Sequence, residues 1–218
     1  HRGHPHGAGD CGIALGGGKG ARVTQFKPLY NAEQIARRVR ELGRQISREA
    51  GDAPLDVVCI LDNGFVFFAD LVRQLTVPVR CHFVRVEARD TVDLAGYERK
   101  EIFYTPEIQA NGKNVLLVDG VLHTGVVMDL LVKRIGLSGP KSLKTVVMVD
   151  KPVERRVPLE PDYFGFRLAS NKMVVGYGLA WDGLYRNLPY VGVVAGKGGG
   201  RVRGRRRGAP RRRKARRG

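Results

Sequence analysis

Short apolar runs alternate along this chain with segments of helical periodicity, and this alternation restricts the possible fold more than any other feature. The runs LDVVCIL, NVLLVDG and SLKTVVMVD are rich in β-branched residues, and polar or glycine-containing turns follow them. Such runs are typical of strands buried on both faces. Because strands that alternate with helices form parallel sheets, the sequence predicts a doubly wound α/β fold with helices on both sides of the sheet.

The longest helical pattern also carries start and stop signals. Ile35, Val39, Leu42 and Ile46 recur at helical spacing, while Asn31 is a predicted N-cap and Gly51 follows the last turn. The other predicted elements are helices at FVFFADLVRQL and TGVVMDLLVKRIG, and strands at VRCHFVRVEA, KEIFY, PDYFGFRL and KMVVGYGLAW.

Four turns, LDNG, VDGVLHTG, VDKP and GYGLAW, follow predicted strands. In doubly wound sheets ligands bind at the carboxyl ends of the strands, so we expect these turns to converge on one edge. VDGVLHTG suits a phosphate monoester, because backbone N–H groups and a helix dipole would meet there beside the Thr124 hydroxyl and the small Gly125. The alternative is an ordinary turn in which Thr124 caps the helix.

The charge of the chain is concentrated at one end. The formal net charge is +17, and residues 197–218 contain twelve Lys or Arg and no acid, which leaves about +5 for the rest. We predict a disordered Gly/His-rich leader over 1–22, one domain over 23–196 and a disordered Arg-rich tail over 197–218. The tail is expected to bind RNA or another polyanion through counterion release. The alternatives are a localisation signal or drift in a GC-rich coding region.

Several other classes of site and location are disfavoured. GGGKG does not follow a predicted strand and is not followed by Ser or Thr, which argues against a P-loop. A weak metal site at HRGHPH is less favoured than a flexible leader at the same residues. Cys11, Cys59 and Cys81 do not suggest a disulfide framework, and we interpret Cys59 and Cys81 as small buried hydrophobes. The chain is therefore expected in a reducing, cytoplasmic compartment. Its apolar runs are shorter than the ~18 residues of a membrane span.

The run VLLVDGVLHTG resembles the phosphoribosyl-diphosphate (PRPP) loop of type I phosphoribosyltransferases. RVRELGRQIS, FVFFADLVRQL, PDYFGF and KMVVGYGLAWDGLYRNLPYVGVV are similar to the hypoxanthine-guanine phosphoribosyltransferases, in the same order, so the resemblance covers about residues 25–195. It implies a doubly wound parallel sheet with a small hood subdomain. It also implies transfer of phosphoribosyl from PRPP to a 6-oxopurine, Mg²⁺ as cofactor, PRPP or purine nucleotide as ligand, and a homo-oligomer.

The resemblance also implies a role for each position of the site. The residues that would bind the ribose 5-phosphate are His123, Thr124, Gly125, Val126 and Val127. The acid pair that binds ribose and metal in the family corresponds to Asp119 and Gly120. The loop acid that acts on the purine is replaced by His123. The residues that would bind diphosphate are Asp62, Asn63 and Arg186. The residues that would bind the purine are Lys151, Met173, Val174 and Trp181. An acid near the second metal is replaced by Ala180.

Several of these positions depart from the family pattern. Gly120 and Ala180 carry no carboxylate, and Val127 lacks a hydroxyl whose charge-assisted bond to phosphate is typically worth ~1.5–3 kcal/mol. His123 serves either as a base or, when protonated, as a cation that attracts phosphate. Asp62 is expected to repel diphosphate. These departures predict impaired activity, or an inactive nucleotide-binding or RNA-associated protein. From the residues alone, we interpret Lys151 as a solvated strand-end lysine and Arg186 as a surface ion pair.

Overall fold

The computed structural model describes residues 26–92, 98–105 and 108–194, and the predicted leader and tail lie outside them together with Cys11, HRGHPH and GGGKG. The helices are α1 (Ala32–Ala50), α2 (Phe65–Val72) and α3 (Val126–Gly136), with a short 3₁₀ turn at Pro152–Glu154. The strands are β1 (Phe26–Tyr30), β2 (Leu55–Leu61), β3 (Val79–Val92), β4 (Glu98–Thr105), β5 (Asn114–Leu122), β6 (Ser142–Asp150), β7 (Tyr163–Arg167), β8 (Val174–Val175) and β9 (Val191–Val194).

A six-stranded sheet forms the centre of the molecule, with the strand order β4-β3-β2-β5-β6-β7. Neighbouring strands from β3 to β7 pair in parallel, and β4 adds an antiparallel strand at one edge. The predicted parallel α/β sheet is therefore confirmed, and the predicted strand KEIFY lies within β4. The strand predicted at VRCHFVRVEA is longer than expected, because pairing with β4 continues to Val92.

Helices cover both faces of this sheet, as the doubly wound prediction requires. On one face α1 and α2 bury Leu42, Phe67 and Leu71 against the strands, and on the other α3 buries Met128 and Leu131. Full burial of such a side chain contributes about 1.5–3 kcal/mol, so these two apolar layers are a principal source of stability. The second layer also fixes the position of the turn that precedes α3.

The capping signals of α1 are confirmed. The Asn31 side chain accepts a hydrogen bond from the Gln34 N–H, and the Gln34 side chain accepts one from the Asn31 N–H, each at 2.9 Å. This reciprocal capping box satisfies two N–H groups that the first turn leaves free. Gly51 ends the helix with a φ of 62°, where a residue without a side chain is favoured.

The prediction that GYGLAW ends a strand of the central sheet is wrong. The strand β8 contains two residues and belongs to a separate three-stranded sheet with the order β1-β9-β8, which is the expected hood. Gly176 and Gly178 follow with φ values of 89° and 93°, and this backbone turns the chain away from an extended path. A Cβ atom at Gly176 would lie 2.1 Å from the Tyr190 carbonyl oxygen, so a side chain is excluded there.

The two cysteines of the described region differ in environment. Cys59 is fully buried in β2, as predicted, but Cys81 is exposed, so its predicted burial is wrong. Cys81 lies on β3 two residues before Phe83, which also keeps 46 % of its surface exposed, so the helices leave this face of β3 incompletely covered. None of the helices in the described ranges has the length and apolar character that crossing a bilayer requires.

Candidate functional site

The strand β5 is longer than the sequence suggests and shortens the turn that follows it. Pairing with β6 continues through Asp119 and Val121 to Leu122, two residues beyond the predicted strand NVLLVDG, so the turn begins at His123. A Cβ atom at Gly120 would lie 2.3 Å from the Asn63 carbonyl oxygen and 2.9 Å from the Leu179 side chain. Glycine thus allows β5 to approach the turn after β2, and any side chain at position 120 would displace that turn.

The N-terminus of α3 offers free backbone donors at this edge of the sheet. Gly125 is the N-cap with a φ of 82°, no side chain caps the helix, and Val126 and Val127 form its first turn. The alternative in which Thr124 caps the helix is therefore wrong. The first N–H groups of a helix and its dipole attract anions, so this turn retains the electrostatic character of a phosphate site.

A cleft of about 250 Å³ lies at the carboxyl ends of β5 and β6, and residues of the hood form part of its wall. The structure brings six of the positions singled out in the sequence to its wall, and adds two polar side chains that the sequence analysis missed. The six are Asn63, His123, Lys151, Met173, Val174 and Ala180, and the two additions are Glu154 and Asn171.

The remaining predicted site residues lie outside this wall. Thr124 and Gly125 follow His123 directly and continue from it into α3. Trp181 forms a small bridge with Leu184, beyond the point where the chain leaves the cleft at Ala180. The other residues that do not line the cleft are Asp62, Asp119, Val126, Val127 and Arg186. The cleft therefore brings together the predicted purine-binding residues other than Trp181.

Lys151 is buried, with 4 % of its surface exposed, so its interpretation as a solvated lysine is wrong. It follows β6, and its N–H donates to the Leu122 carbonyl at 2.9 Å, which fixes it beside the end of β5. Burial lowers the pKa of the Lys151 ammonium, while the negative charge of Glu154 opposes this effect. A cation with this little solvent gains strongly from a ligand oxygen that accepts its proton.

Glu154 forms the closest polar contact across the cleft wall. The Nε2 atom of His123 lies 2.5 Å from Oε2 of Glu154, and both side chains are half-buried. The 3₁₀ turn that follows Lys151 brings this carboxylate back toward β5. The available signal for Glu154 was an acid three residues after a strand-end lysine, a spacing too common to single out a functional residue.

The turn after β2 carries a compensated charge, and the repulsion of diphosphate by Asp62 stays a prediction. Oδ1 of Asp62 accepts a 2.9 Å hydrogen bond from Arg85, and its other oxygen lies 3.9 Å from Nη2 of Arg186. Arg186 also donates to Asn63 Oδ1 at 2.7 Å and to the Gly178 carbonyl at 2.5 Å. Arg186 is thus no simple surface ion pair, because it joins the hood to this turn. The two guanidinium groups exceed the single carboxylate in charge.

Asp119 does not provide a metal site by itself. Its Oδ1 accepts a 2.6 Å hydrogen bond from the Gly120 N–H. Desolvation by the surrounding protein raises the pKa of the Asp119 carboxyl to about 7, although backbone hydrogen bonds from Gly120 and Val121 act in the opposite direction. Within the described ranges, no cluster of three or more His, Cys, Asp or Glu side chains could hold a metal ion. These residues do not fit a protein-held Mg²⁺, and any Mg²⁺ would depend on the oxygens of the substrate.

Comparisons with known proteins agree with this geometry. The family model described as "Phosphoribosyl transferase domain" matches residues 25–181. The chain is 37 % identical over 177 residues to a hypoxanthine-guanine phosphoribosyltransferase from Aquifex aeolicus, covering 81 % of this chain and 98 % of that protein. A solved hypoxanthine-guanine phosphoribosyltransferase from Bacillus anthracis superimposes with a TM-score of 0.68 at 30 % identity, covering 79 % of this chain and 98 % of the other.

A longer relative also matches. The bifunctional protein TilS/HprT from Listeria innocua is 33 % identical over 181 residues, which is 83 % of this chain. The chain spans 28 % of the length of that relative.

Proposed function

The chain belongs to the hypoxanthine-guanine phosphoribosyltransferase family, and from this premise we propose that it transfers phosphoribosyl from PRPP to a 6-oxopurine at a reduced rate. The observation that carries the proposal is the buried ammonium of Lys151 on the cleft wall. A 6-oxo group is a hydrogen-bond acceptor, and the Lys151 ammonium is a donor that suits it. Met173, which is 55 % exposed, and Val174 supply an apolar surface for the flat purine ring.

We assign the two anionic ends of PRPP to donors that adjoin residues of the cleft wall. The backbone N–H groups of the turn at Thr124 and Gly125, with the first turn of α3, suit the 5-phosphate. Arg186 and Arg85, which flank Asp62, suit the diphosphate that leaves. Arg85 was missed in the sequence because it lies in a strand with alternating polar residues, and only the fold brings it to Asp62.

The reaction exchanges one bond to the ribose for another. A purine nitrogen forms a bond to C1 of the ribose as the bond from C1 to the diphosphate oxygen breaks, and the diphosphate leaves with the electron pair. The purine then loses a proton, and His123 on the cleft wall accepts it. Mg²⁺, when bound to PRPP, would neutralise part of the diphosphate charge.

The reduced rate follows from the missing carboxylates at Gly120 and Ala180. A second candidate function, nucleotide binding without turnover, is favoured by the packing of Gly120 against Asn63, because this contact leaves no space for a ribose-binding side chain. In either case we propose a cytoplasmic protein that forms homo-oligomers, as the sequence resemblance implies.

Incubation with PRPP, Mg²⁺ and each of hypoxanthine, guanine and adenine tests the proposal, with nucleotide measured by chromatography. We expect slow formation of the two 6-oxopurine nucleotides and none from adenine, which lacks the oxygen acceptor. Nucleotide formation no higher than in a heat-inactivated sample would reject turnover. Calorimetric titration with GMP, with and without Mg²⁺, then separates a binding protein from one that binds no nucleotide.

A further inference from the structure

We propose that Glu154 is a positioning residue for His123, so that the two form a carboxylate–imidazole pair that accepts the proton of the purine. This inference rests on the proposed function. The contact of 2.5 Å between Glu154 Oε2 and His123 Nε2 is the observation that carries it. Both side chains line the cleft that contains Lys151.

The backbone holds the two partners of this pair in register. The Lys151 N–H donates to the Leu122 carbonyl, and the Arg156 N–H donates to the Thr124 carbonyl, each at 2.9 Å. These two bonds flank His123 on one segment and Glu154 on the other. Because the backbones are joined on both sides of the pair, the side chains meet without a large loss of freedom on substrate binding.

The direction of the contact decides which imidazole nitrogen reacts. Glu154 accepts the proton on Nε2, so the neutral ring keeps its lone pair on Nδ1. After the new bond to ribose forms, the purine proton passes to Nδ1, and the resulting imidazolium lies against a carboxylate that stabilises its charge. Glu154 keeps its own charge throughout, in the way that a carboxylate orients the histidine of a hydrolase triad.

The charged groups around His123 support this assignment. On the cleft wall of the described chain, Lys151 is the other charged side chain, and the hood contributes the uncharged Met173, Val174, Leu179 and Ala180. Arg155 lies near Gly125 and its Nη2 donates to the buried Asp150, while its buried Nε and Nη1 have no hydrogen-bond partner within the described residues. Glu154 is therefore the carboxylate of the cleft wall; it contacts His123 at 2.5 Å, and its charge also acts on Lys151.

A double-mutant cycle with Glu154→Gln and His123→Asn tests the pair, with kcat and KM measured from pH 5 to 9 on the full chain. Glu154→Gln is expected to lower kcat about tenfold or more and to move the acidic limb of kcat/KM to lower pH. The same substitution in the His123→Asn background is expected to have no further effect. The control is Glu160→Gln, an exposed acid of the same loop that pairs with Arg167 outside the cleft.

A second measurement does not depend on turnover. Nitrogen NMR of labelled imidazole, with His123→Asn used for assignment, is expected to show the proton on Nε2 in the unmodified chain and a mixture of tautomers in Glu154→Gln. Turnover with additive effects in the cycle, or an unchanged imidazole spectrum, would overturn the positioning role alone. Absence of nucleotide formation by the unmodified chain would overturn the proposed function, and the role of His123 as a base with it.

Discussion

The replacement of Lys151 separates the binding role of its charge from its contribution to folding. In Lys151→Met the buried apolar stem is kept and the ammonium is lost. We expect GMP affinity to fall by about 10- to 100-fold, the equivalent of a charge-assisted hydrogen bond of ~1.5–3 kcal/mol. Because the ammonium is desolvated in the free protein, the melting temperature is expected to stay the same or rise.

Calorimetry with GMP and thermal denaturation measure these two effects. Lys141→Met is the matched control, since Lys141 is exposed at the opposite end of β6. Equal GMP affinity in Lys151→Met and Lys141→Met would show that Lys151 does not contact the nucleotide. A large loss of stability in Lys151→Met would show that its charge has a structural partner.

The two missing carboxylates are expected to differ in how well they can be restored. Ala180 lines the cleft, whereas a side chain at Gly120 would collide with the Asn63 backbone. Ala180→Asp should therefore strengthen the Mg²⁺ dependence of PRPP binding on the order of tenfold, or about 1.4 kcal/mol. Gly120→Asp should give no such gain and should destabilise the fold by about 1–3 kcal/mol.

Gly120→Ala and Gly136→Ala make the steric comparison directly by thermal denaturation. The ideal Cβ at Gly136 meets no atom within 4 Å, so Gly136→Ala is expected to leave the melting temperature unchanged or raise it. Gly120→Ala is expected to lower it by roughly 2–4 °C for each kcal/mol lost. Equal stability of the two variants would contradict the close packing of β5 on the turn after β2.

At the scale of elements, α1 is tied to β6 and β7 by a cluster around Glu49. Its Oε2 accepts hydrogen bonds from Lys144 at 2.6 Å and from Tyr163 at 2.5 Å. The bond from Lys144, followed by that from Tyr163, lowers the pKa of Glu49 to about 2. Since the folded pKa lies below the unfolded value, this carboxylate contributes stability above pH ~4.5 that is lost as the pH falls toward 2.

Glu49→Gln measures this contribution. Because the Glu49 side chain keeps 37 % of its exposure, water screens the interaction, and we expect a loss of about 1 kcal/mol at pH 7. The difference from the unmodified chain should vanish near pH 2, as followed by urea denaturation across the pH range. Asp52→Asn, an exposed acid just beyond α1, serves as the control. A difference that persists unchanged at pH 2 would contradict the linkage.

The elements of this fold were accessible from sequence because their signals are local. Periodic apolar residues and the cap at Asn31 predicted α1, and β-branched runs predicted β2, β5 and β6. The hood was expected from the family resemblance alone, because β8 has two residues, too few to show any periodicity. Six of the fifteen positions named by resemblance line one cleft. Glu154 was not found because it reaches His123, 31 residues earlier, only through the 3₁₀ turn after β6. Arg85 was not found because its partner Asp62 is distant in sequence.

At the scale of the whole molecule, the chain combines a moderately charged domain with a strongly cationic end. Twelve of the basic residues lie in 197–218, outside the described residues, and the remaining chain carries about +5 of the total +17. A segment of this density neutralises phosphates without reading bases, and its affinity falls steeply with salt. The cleft and the tail are therefore expected to act independently, the first on nucleotides and the second on polyanions.

A chain ending at Ala195 tests this independence. We expect it to bind GMP as the full chain does, but to lose retention on single-stranded RNA at ~150 mM salt, because the cationic residues of the tail supply the counterion release. Two full-length variants test whether charge alone is required. Replacing the arginines of 201–217 by lysine should preserve RNA retention, and replacing them by glutamine should abolish it. The logarithm of the affinity should fall with that of the salt concentration with a slope of about −0.7 for each phosphate contacted. Equal RNA retention by the full and shortened chains would show that the polyanion contact lies on the folded domain. A loss of GMP affinity in the shortened chain would show that the tail and the cleft are coupled.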